Sequence, residues 1–449
     1  MAWNRLSSSP SRIECHATEV PTQITVGDLG QWLTMTTPDP TDTALPTPVP
    51  TDPVPTNPAL TATVDLDAIA HNVSVVRAAS GADVIAVVKA DGYGHGAVPV
   101  ARAALEAGAT ELGVAVIGEA LALRAAGLDA PITAWLHTND ADFGGAIAAD
   151  VDIAVSSRRQ LARVLGAARG LGVAATITVK VDTGLNRSGV AADEWSDFAA
   201  DLAAAVAEGA VTVRAMMCHL GRGDEPEHPL NSEQARRLDT ARADLVRRGA
   251  GPEVMHLANS PAALTRPDLA RDLVRPGIAI YGGVPIPGRD FGLIPAMTLS
   301  GEVALVKRLP AGQGVSYSHT WVSERDTMIA VVPAGYADGV PRTASGRLRV
   351  RIGDRDFPQI GRICMDQIVI DLGADGGGVR EGDRAELFGT GLTGGPTAQE
   401  WAETVGTIDY EILSRIGGRT ARTYVRSGHT ADAPQVPDPV GEPQVGERR

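Results

Sequence analysis

Lysine is nearly missing from this sequence. Only Lys89, Lys180 and Lys307 occur among its 40 basic residues, and the remainder are Arg. An arginine keeps its charge, whereas a lysine can lose its proton and become a nucleophile. Each lysine retained in so Arg-rich a chain is therefore a candidate for chemistry that a guanidinium cannot do. Cysteine is equally scarce. Cys15, Cys218 and Cys364 are too few and too scattered for a disulfide framework or a Cys-ligated zinc site, which fits a reducing cytosol. No apolar run is long enough to span a bilayer, and residues 1–20 lack the apolar stretch of a secretory signal. Net positive charge is also absent. The 54 acidic residues outnumber the basic ones and give −14, which argues against nucleic acid or an anionic membrane as partner.

What is present suggests two or three domains. The 449 residues are 44% hydrophobic and 21% charged, as in soluble globular proteins with a large core. Residues 36–58, TTPDPTDTALPTPVPTDPVPTNP, are dominated by Thr and Pro and offer nothing to bury. Residues 1–58 therefore read as a disordered head and linker, and 428–449 as a disordered tail. Between them, short Val/Ile/Ala runs alternate with amphipathic stretches. Strands are expected at 84–88, 112–116, 131–136, 152–155, 175–181, 213–218, 254–258 and 273–281. Helices are expected between them, for example at 118–127, 157–169 and 232–248, the last opening on Ser232 as N-cap. Continuous apolar strands in β–α alternation imply a parallel sheet covered by helices. Eight units imply a closed (β/α)8 TIM-type barrel over 59–293, with an open doubly wound sheet as the alternative. Beyond residue 293 strand-like runs follow one another with little helix until about 398, so 294–427 reads as a mainly antiparallel β domain.

In such a barrel the active site lies where the strands end. Lys89 follows the first strand directly, in VIAVVKADGYGHG. Desolvation there would lower its pKa and prepare it as a base or for a Schiff base with a carbonyl cofactor. The alternative is a lysine snorkelling from a strand edge. Lys180 lies near the end of the fifth strand, in KVDTGLNRSG, seven residues before Arg187. It could react with carbon dioxide to give an anionic carbamate, or form a salt bridge with Asp182. His219 and Arg275 should reach the same mouth from the sixth and eighth strands. Ser260 and Gly277 are candidate phosphate binders, because loop N–H groups serve that role. The cluster Asp224, Glu225, Glu227 and His228 matches no metal-ligand spacing and reads as a solvated acidic loop. In the β domain, Tyr317, Tyr336, Cys364, Met365 and Asp366 lie in GVSYSHT, PAGYADG and GRICMDQ.

From about residue 62 to 426 the chain resembles the alanine racemase family, which uses pyridoxal 5'-phosphate (PLP). AVVKADGYGHGA, KVDTGLNRSG, CHL, HLANS, VRPGIAIYG, VSYSHT, PAGYADG, GRICMDQ and IDYEI occur in the family's order. The resemblance implies a (β/α)8 barrel followed by a β domain, and it implies roles. Lys89 would hold PLP covalently. Tyr93, Ser260, Gly277, Ile278 and Tyr410 would hold its phosphate, and Arg275 its pyridine nitrogen. Arg187 and Met365 would bind the alanine carboxylate, with a carbamylated Lys180 orienting Arg187. Tyr317 would be the second base, linked through His219 to Arg275. Tyr317 and Met365 would come from the other subunit of a homodimer. The implied enzyme is a cytoplasmic bacterial isomerase supplying D-alanine for peptidoglycan, with no metal. Departures lie in LGRGDEPEHP after His219, and in His319 and Trp321, which replace a commoner Gly and Tyr beside Tyr317 and leave substrate breadth open. A related diamino-acid decarboxylase would carry a Cys-Glu pair where this chain has CMDQ. A PLP carrier lacks the β domain, and a metallohydrolase barrel needs His-x-His where this chain has Lys89.

Overall fold

The computed structural model describes residues 57–428. The expectations for the head and tail lie outside these residues, except at 57 and 58, which open a strand. That strand, β1 (Asn57–Asp65), pairs antiparallel with Met297–Glu302 and parallel with Thr420–Val425. The reading that placed residues from 59 onward in the barrel is corrected here: β1 is a strand of the C-terminal sheet. Its pattern explains why. Leu60, Ala62 and Val64 are fully buried and alternate with threonines, the period of a strand with one buried face.

The barrel strands are β2 (Asp83–Val87), β3 (Glu111–Val114), β4 (Ile132–Ala134), β5 (Asp152–Val155), β6 (Ala175–Lys180), β7 (Val211–Met217), β8 (Val254–His256) and β9 (Leu273–Val274). All are parallel, and β2 pairs with β9 to close the ring. The open sheet is thereby excluded. Strands β3 and β5 are buried along their whole length, as expected where helices cover one side and the barrel interior the other. Two expected elements differ. The run 273–281 is only a two-residue strand, followed by a 3-10 helix at Ile278–Tyr281. Pro276 has no N–H for a ladder, and the chain turns at Gly277. The helix expected at 232–248 begins at Pro229, with the His228 side chain as its cap. Proline at the first helical position was the better start signal; Ser232 lies inside the helix, where its Oγ accepts from Arg266.

Among the described residues the C-terminal sheet has nine strands, antiparallel except where β1 meets Thr420–Val425. Helices Ala398–Val405 and Asp409–Arg415 lead the chain back to the barrel mouth. Asp409, buried, accepts the Val284 N–H at 2.7 Å and fixes this return.

The lower half of the barrel holds a charge cluster. Arg214 on β7 pairs with Glu111 at the start of β3 and lies 3.7 Å from Asp152 at the start of β5. The hydroxyls of Thr178 and Thr133 donate to Asp152 at 2.6 and 3.1 Å. Burial pushes the Asp152 carboxyl up to about 6, against the pull of Thr178 and Arg214. Arg214→Met would leave two buried carboxyls without their cation and should cost about 3–5 kcal/mol at pH 7. Guanidinium unfolding midpoints measure this. The deficit should narrow towards pH 4, because a carboxyl whose folded pKa is raised is destabilising only above its unfolded value, as pH rises through about 6.

Candidate active site

The carboxyl ends of the barrel strands open into a cleft of about 830 Å³. Lys89 enters two residues past β2, Lys180 as the last residue of β6, His219 two residues past β7, and Arg275 one residue past β9. Arg187 and Gly277 join them from loops, Ser260 and Ile278 as the first residues of the helices Ser260–Thr265 and Ile278–Tyr281, Tyr93 from the turn after Lys89, and Tyr410 from the Asp409–Arg415 helix. Ten residues singled out in the sequence thus share one cavity.

Lys89 starts an unusual turn. Ala90, Asp91, Gly92 and Tyr93 all have φ between 52° and 61°, the left-handed region. Residues with a Cβ avoid it at roughly 1–2 kcal/mol each. Burial and the Arg187 cation lower the Lys89 amine, and Glu119 acts against them. Its Nζ lies 5.9 Å from the centre of the Tyr93 ring. Tyr93 is stacked on Tyr281 at 4.8 Å, and burial keeps its hydroxyl protonated.

Near Tyr93 the backbone approaches closely. A Cβ on Gly277 would sit 2.3 Å from the Tyr93 hydroxyl, so only glycine fits. The Ser260 hydroxyl accepts the N–H groups of Gly277 and Ala279 at 2.9 and 3.2 Å. Ile278 opens the 3-10 helix, where an N–H has no intrahelical partner. The Tyr410 ring is 6.3 Å from that of Tyr93, and burial raises its hydroxyl as well. Uncharged donors therefore gather at one end of the cleft.

Arg275 occupies the opposite chemistry. It is 5% exposed and, among the described residues, pairs with no carboxylate. Its guanidinium donates to His256 Nδ1 at 2.8 Å and to the carbonyls of His256 and Cys218 at 2.6 Å. Burial lowers it to about 10, so it remains a cation at neutral pH. Burial and the cations Arg275, Arg187, Lys180 and Lys89 push His219 down to about 3, which keeps it neutral. The sequence reading overlooked His256. It lies in the same HLANS segment as Ser260, where a histidine ending a barrel strand was the available signal.

Lys180 is 3% exposed. Burial, then Arg275, Arg187 and Lys89, lower it to about 8. Asp182, offered as its salt-bridge partner, instead accepts the N–H groups of Gly184 and Asn186, each at 3.0 Å. The acidic segment after His219 has local duties: Glu225 pairs with Arg222, and His228 accepts the Leu230 N–H.

Tyr317 and Met365 do not line this cleft. They are 68% and 52% exposed on the β domain. The three β-domain motifs nevertheless come together. Tyr336 and Ala337 donate to the carbonyls of Cys364 and Met365, and Ser316 Oγ donates to the Arg362 carbonyl at 2.6 Å. Ser316, Ser318 and His319, around Tyr317, all have positive φ. His319 folds over Gly314, and Trp321 packs on Val315, Ile329 and Ile360.

The depressed Lys180 amine has a measurable consequence. A lysine whose folded pKa is lowered is destabilising below that value and ceases to be so as pH rises from about 8 to its unfolded value. In bicarbonate-free buffer, Lys180→Met should therefore be more stable than wild type at pH 7, by roughly 1–3 kcal/mol. Unfolding midpoints should show that gain vanishing by about pH 10.5.

The comparisons with known proteins agree with this architecture. The family models "Alanine racemase, N-terminal domain" and "Alanine racemase, C-terminal domain" match residues 64–285 and 296–424. The alanine racemase of Mycolicibacterium vanbaalenii is 56% identical over 367 residues, 81% of this chain and 94% of that one. That of Mycobacterium tuberculosis is 54% identical over 380 residues, 84% and 98% of the two chains. The crystal structure of the alanine racemase from D-cycloserine producing Streptomyces lavendulae superposes with a TM-score of 0.79 at 46% identity. It covers 82% of this chain and 98% of that one. The chain belongs to the alanine racemase family, whose members depend on PLP.

Proposed function

We propose that the cleft interconverts L- and D-alanine by a two-base mechanism, with Lys89 and Tyr317 on opposite faces of Cα. One observation carries the reading: side chains from five separate strand ends and loops, Lys89, Lys180, Arg187, Ser260 and Arg275, meet in one cavity.

The residues suit PLP. A phosphate would meet the hydroxyls of Tyr93, Ser260 and Tyr410 and the N–H of Ile278, with the N–H of Gly277 turning to it from the Ser260 hydroxyl. The tight fit of Gly277 under Tyr93 forms a cradle that any side chain would fill. Arg275, always a donor, would hold the ring nitrogen as an acceptor and leave it unprotonated. Bound there, PLP supplies an electron sink for the charge left when Cα loses its proton.

The chain's own groups do the rest. A base must be unprotonated, and the burial and Arg187 that lower Lys89 favour its neutral amine. Arg187 binds the substrate carboxylate, with the Met365 backbone beside it. Lys180, near 8, has about one amine in ten neutral at pH 7, enough to capture carbon dioxide. The resulting carbamate would put an anion beside Arg187 and hold it. Tyr317 returns or removes the proton on the second face, with His219 and Arg275 nearby. The exposure of Tyr317 and Met365, away from their own chain's cleft, supports a homodimer in which each completes the partner's site. We further propose that the enzyme acts in the cytoplasm and supplies D-alanine for peptidoglycan. No helix among the described residues is long and apolar enough to cross a membrane.

Lys89→Ala should abolish borohydride-fixable PLP and the exchange of the alanine Cα proton in deuterated water. Adduct retained in that variant would remove Lys89 from the role. Tyr317→Phe should lower kcat/KM by the same factor in both directions, as an equilibrium constant of one requires, and suppress Cα exchange in deuterated water from one enantiomer far more than from the other; wild-type racemisation with equal exchange from both would exclude Tyr317 as a base. Mixing unfolded-and-refolded Lys89→Ala with Tyr317→Ala tests the shared site. Half of the dimers then pair one variant with the other and contain one intact site, so about one quarter of wild-type activity returns. Sites built within one chain would recover none.

A further inference from the structure

Resting on the functional reading above, we propose that Glu119 is the positioning residue of Lys89, holding the turn that presents the amine to the cleft.

Glu119 is the third residue of the Ile117–Ala125 helix. In that position a carboxylate ordinarily caps its own helix, and one oxygen does so. Oε2 accepts the N–H groups of Ala115 at 2.8 Å and Val116 at 3.2 Å, where the chain leaves β3. The other oxygen reaches elsewhere. Oε1 accepts the Ala90 N–H at 2.7 Å, 29 residues back along the chain. A single carboxylate thus ties the residue after Lys89 to the end of the neighbouring barrel strand.

That tie falls where the backbone most needs one. Ala90 has φ +53° and ψ +48°, and Asp91 and Tyr93 are also left-handed without being glycine. Such a run persists only where surroundings over-determine it. The far end of the turn has its own fastening. Asp91 Oδ1 accepts the Ala97 N–H at 2.9 Å, and Arg422 donates to the Gly94 carbonyl at 2.9 Å. At the near end, next to Lys89, Glu119 supplies the side-chain bond. Hydrogen bonds to a carboxylate are about twice as strong as neutral ones.

Glu119 also acts through its charge. Arg187, Lys180, His219, Arg275 and Tyr93 face Lys89 across the cleft. Arg187 among them opposes a proton on the amine, and Glu119 favours one. Removing its charge lowers the Lys89 amine further. A base must be deprotonated to act, and the amine is free only while substrate is bound in its place, so the acidic limb of kcat then moves to lower pH.

The test uses full-chain holoenzyme with Glu119→Ala and Glu119→Gln, and Lys89→Ala as reference. In Glu119→Ala, kcat for alanine should fall at least about ten-fold while KM stays within about three-fold. The half-time of PLP loss on dialysis should shorten, and the visible circular dichroism of bound PLP should change, with the melting temperature nearly unmoved. Glu119→Gln keeps an oxygen for Ala90 but loses the charge. It should retain PLP and move the acidic limb of kcat down by about half a pH unit. Glu119→Ala with wild-type kcat, retention and dichroism would make Glu119 a helix cap only and overturn the proposal. If Glu119→Ala does not fold, Glu119→Gln decides, and an unmoved acidic limb overturns it. Silent Glu119 variants beside a Lys89→Ala without fixable PLP would sink this inference alone. Fixable PLP in Lys89→Ala would sink the functional reading and this inference with it.

Discussion

Ring closure between β2 and β9 is the constraint on which the site depends. It is a short seam: Asp83 pairs with Leu273 and Val84 with Val274. Yet it sets Lys89, just beyond β2, beside Arg275, just beyond β9. Without it the lysine and the guanidinium would sit at opposite edges of an open sheet. The short β9 is also what frees Pro276 and Gly277 to turn, so that the Ile278–Tyr281 helix starts inside the cleft rather than above it. A longer last strand would have removed Gly277 from beneath Tyr93.

Electrostatics divides the barrel into two unlike halves. Below, Arg214 balances Glu111 and Asp152, and threonines complete the carboxylate's bonds. Above, Arg275, Arg187, Lys180 and Lys89 share a cleft in which basic groups predominate. The excess of positive charge explains the direction of each displaced titration: His219 stays neutral, and both lysines are eased towards their amines. It also suits a cavity meant for an anionic cofactor and an anionic substrate group. Arginine-rich composition and lysine scarcity become one design. Arginines supply permanent charge, and the two lysines of the cleft supply groups that yield their protons to it.

Much of this could be read from the residues. The apolar barrel strands announced themselves because burial on both faces leaves an unbroken hydrophobic run, and Lys89 and Lys180 stood out against them. Less local features could not be read. β1 looked like the barrel's opening segment because its partners lie at the far end of the chain. Pro229 was a legible helix start, but the acidic loop before it drew the reading on to Ser232. The left-handed turn after Lys89 was invisible because Ala90, Asp91 and Tyr93 are not the residues that announce positive φ. Glu119 had the ordinary signature of a helix cap, and only its second oxygen, bonded to a distant N–H, sets it apart. His256 sat within a recognised segment, but its bond to Arg275 depends on two strands being neighbours.

The position of β1 also governs how the molecule can be built. It is among the first described segments to be synthesised, and both of its partners come later, Thr420–Val425 last of all. Thr63 and Thr423, whose hydroxyls meet at 3.2 Å, are 360 residues apart. At ribosomal speed that interval lasts roughly 20–70 s. Until Met297–Glu302 emerges β1 has two open edges, and until Thr420–Val425 emerges it keeps one, the kind of edge that pairs with whatever is nearby. The barrel's neighbouring strands can zip in order as they emerge, while the sheet must wait for the chain's end to return. Nascent chains therefore pass through a stage with a finished barrel and an orphan strand, and that stage is where a chaperone or a wrong partner has its opportunity.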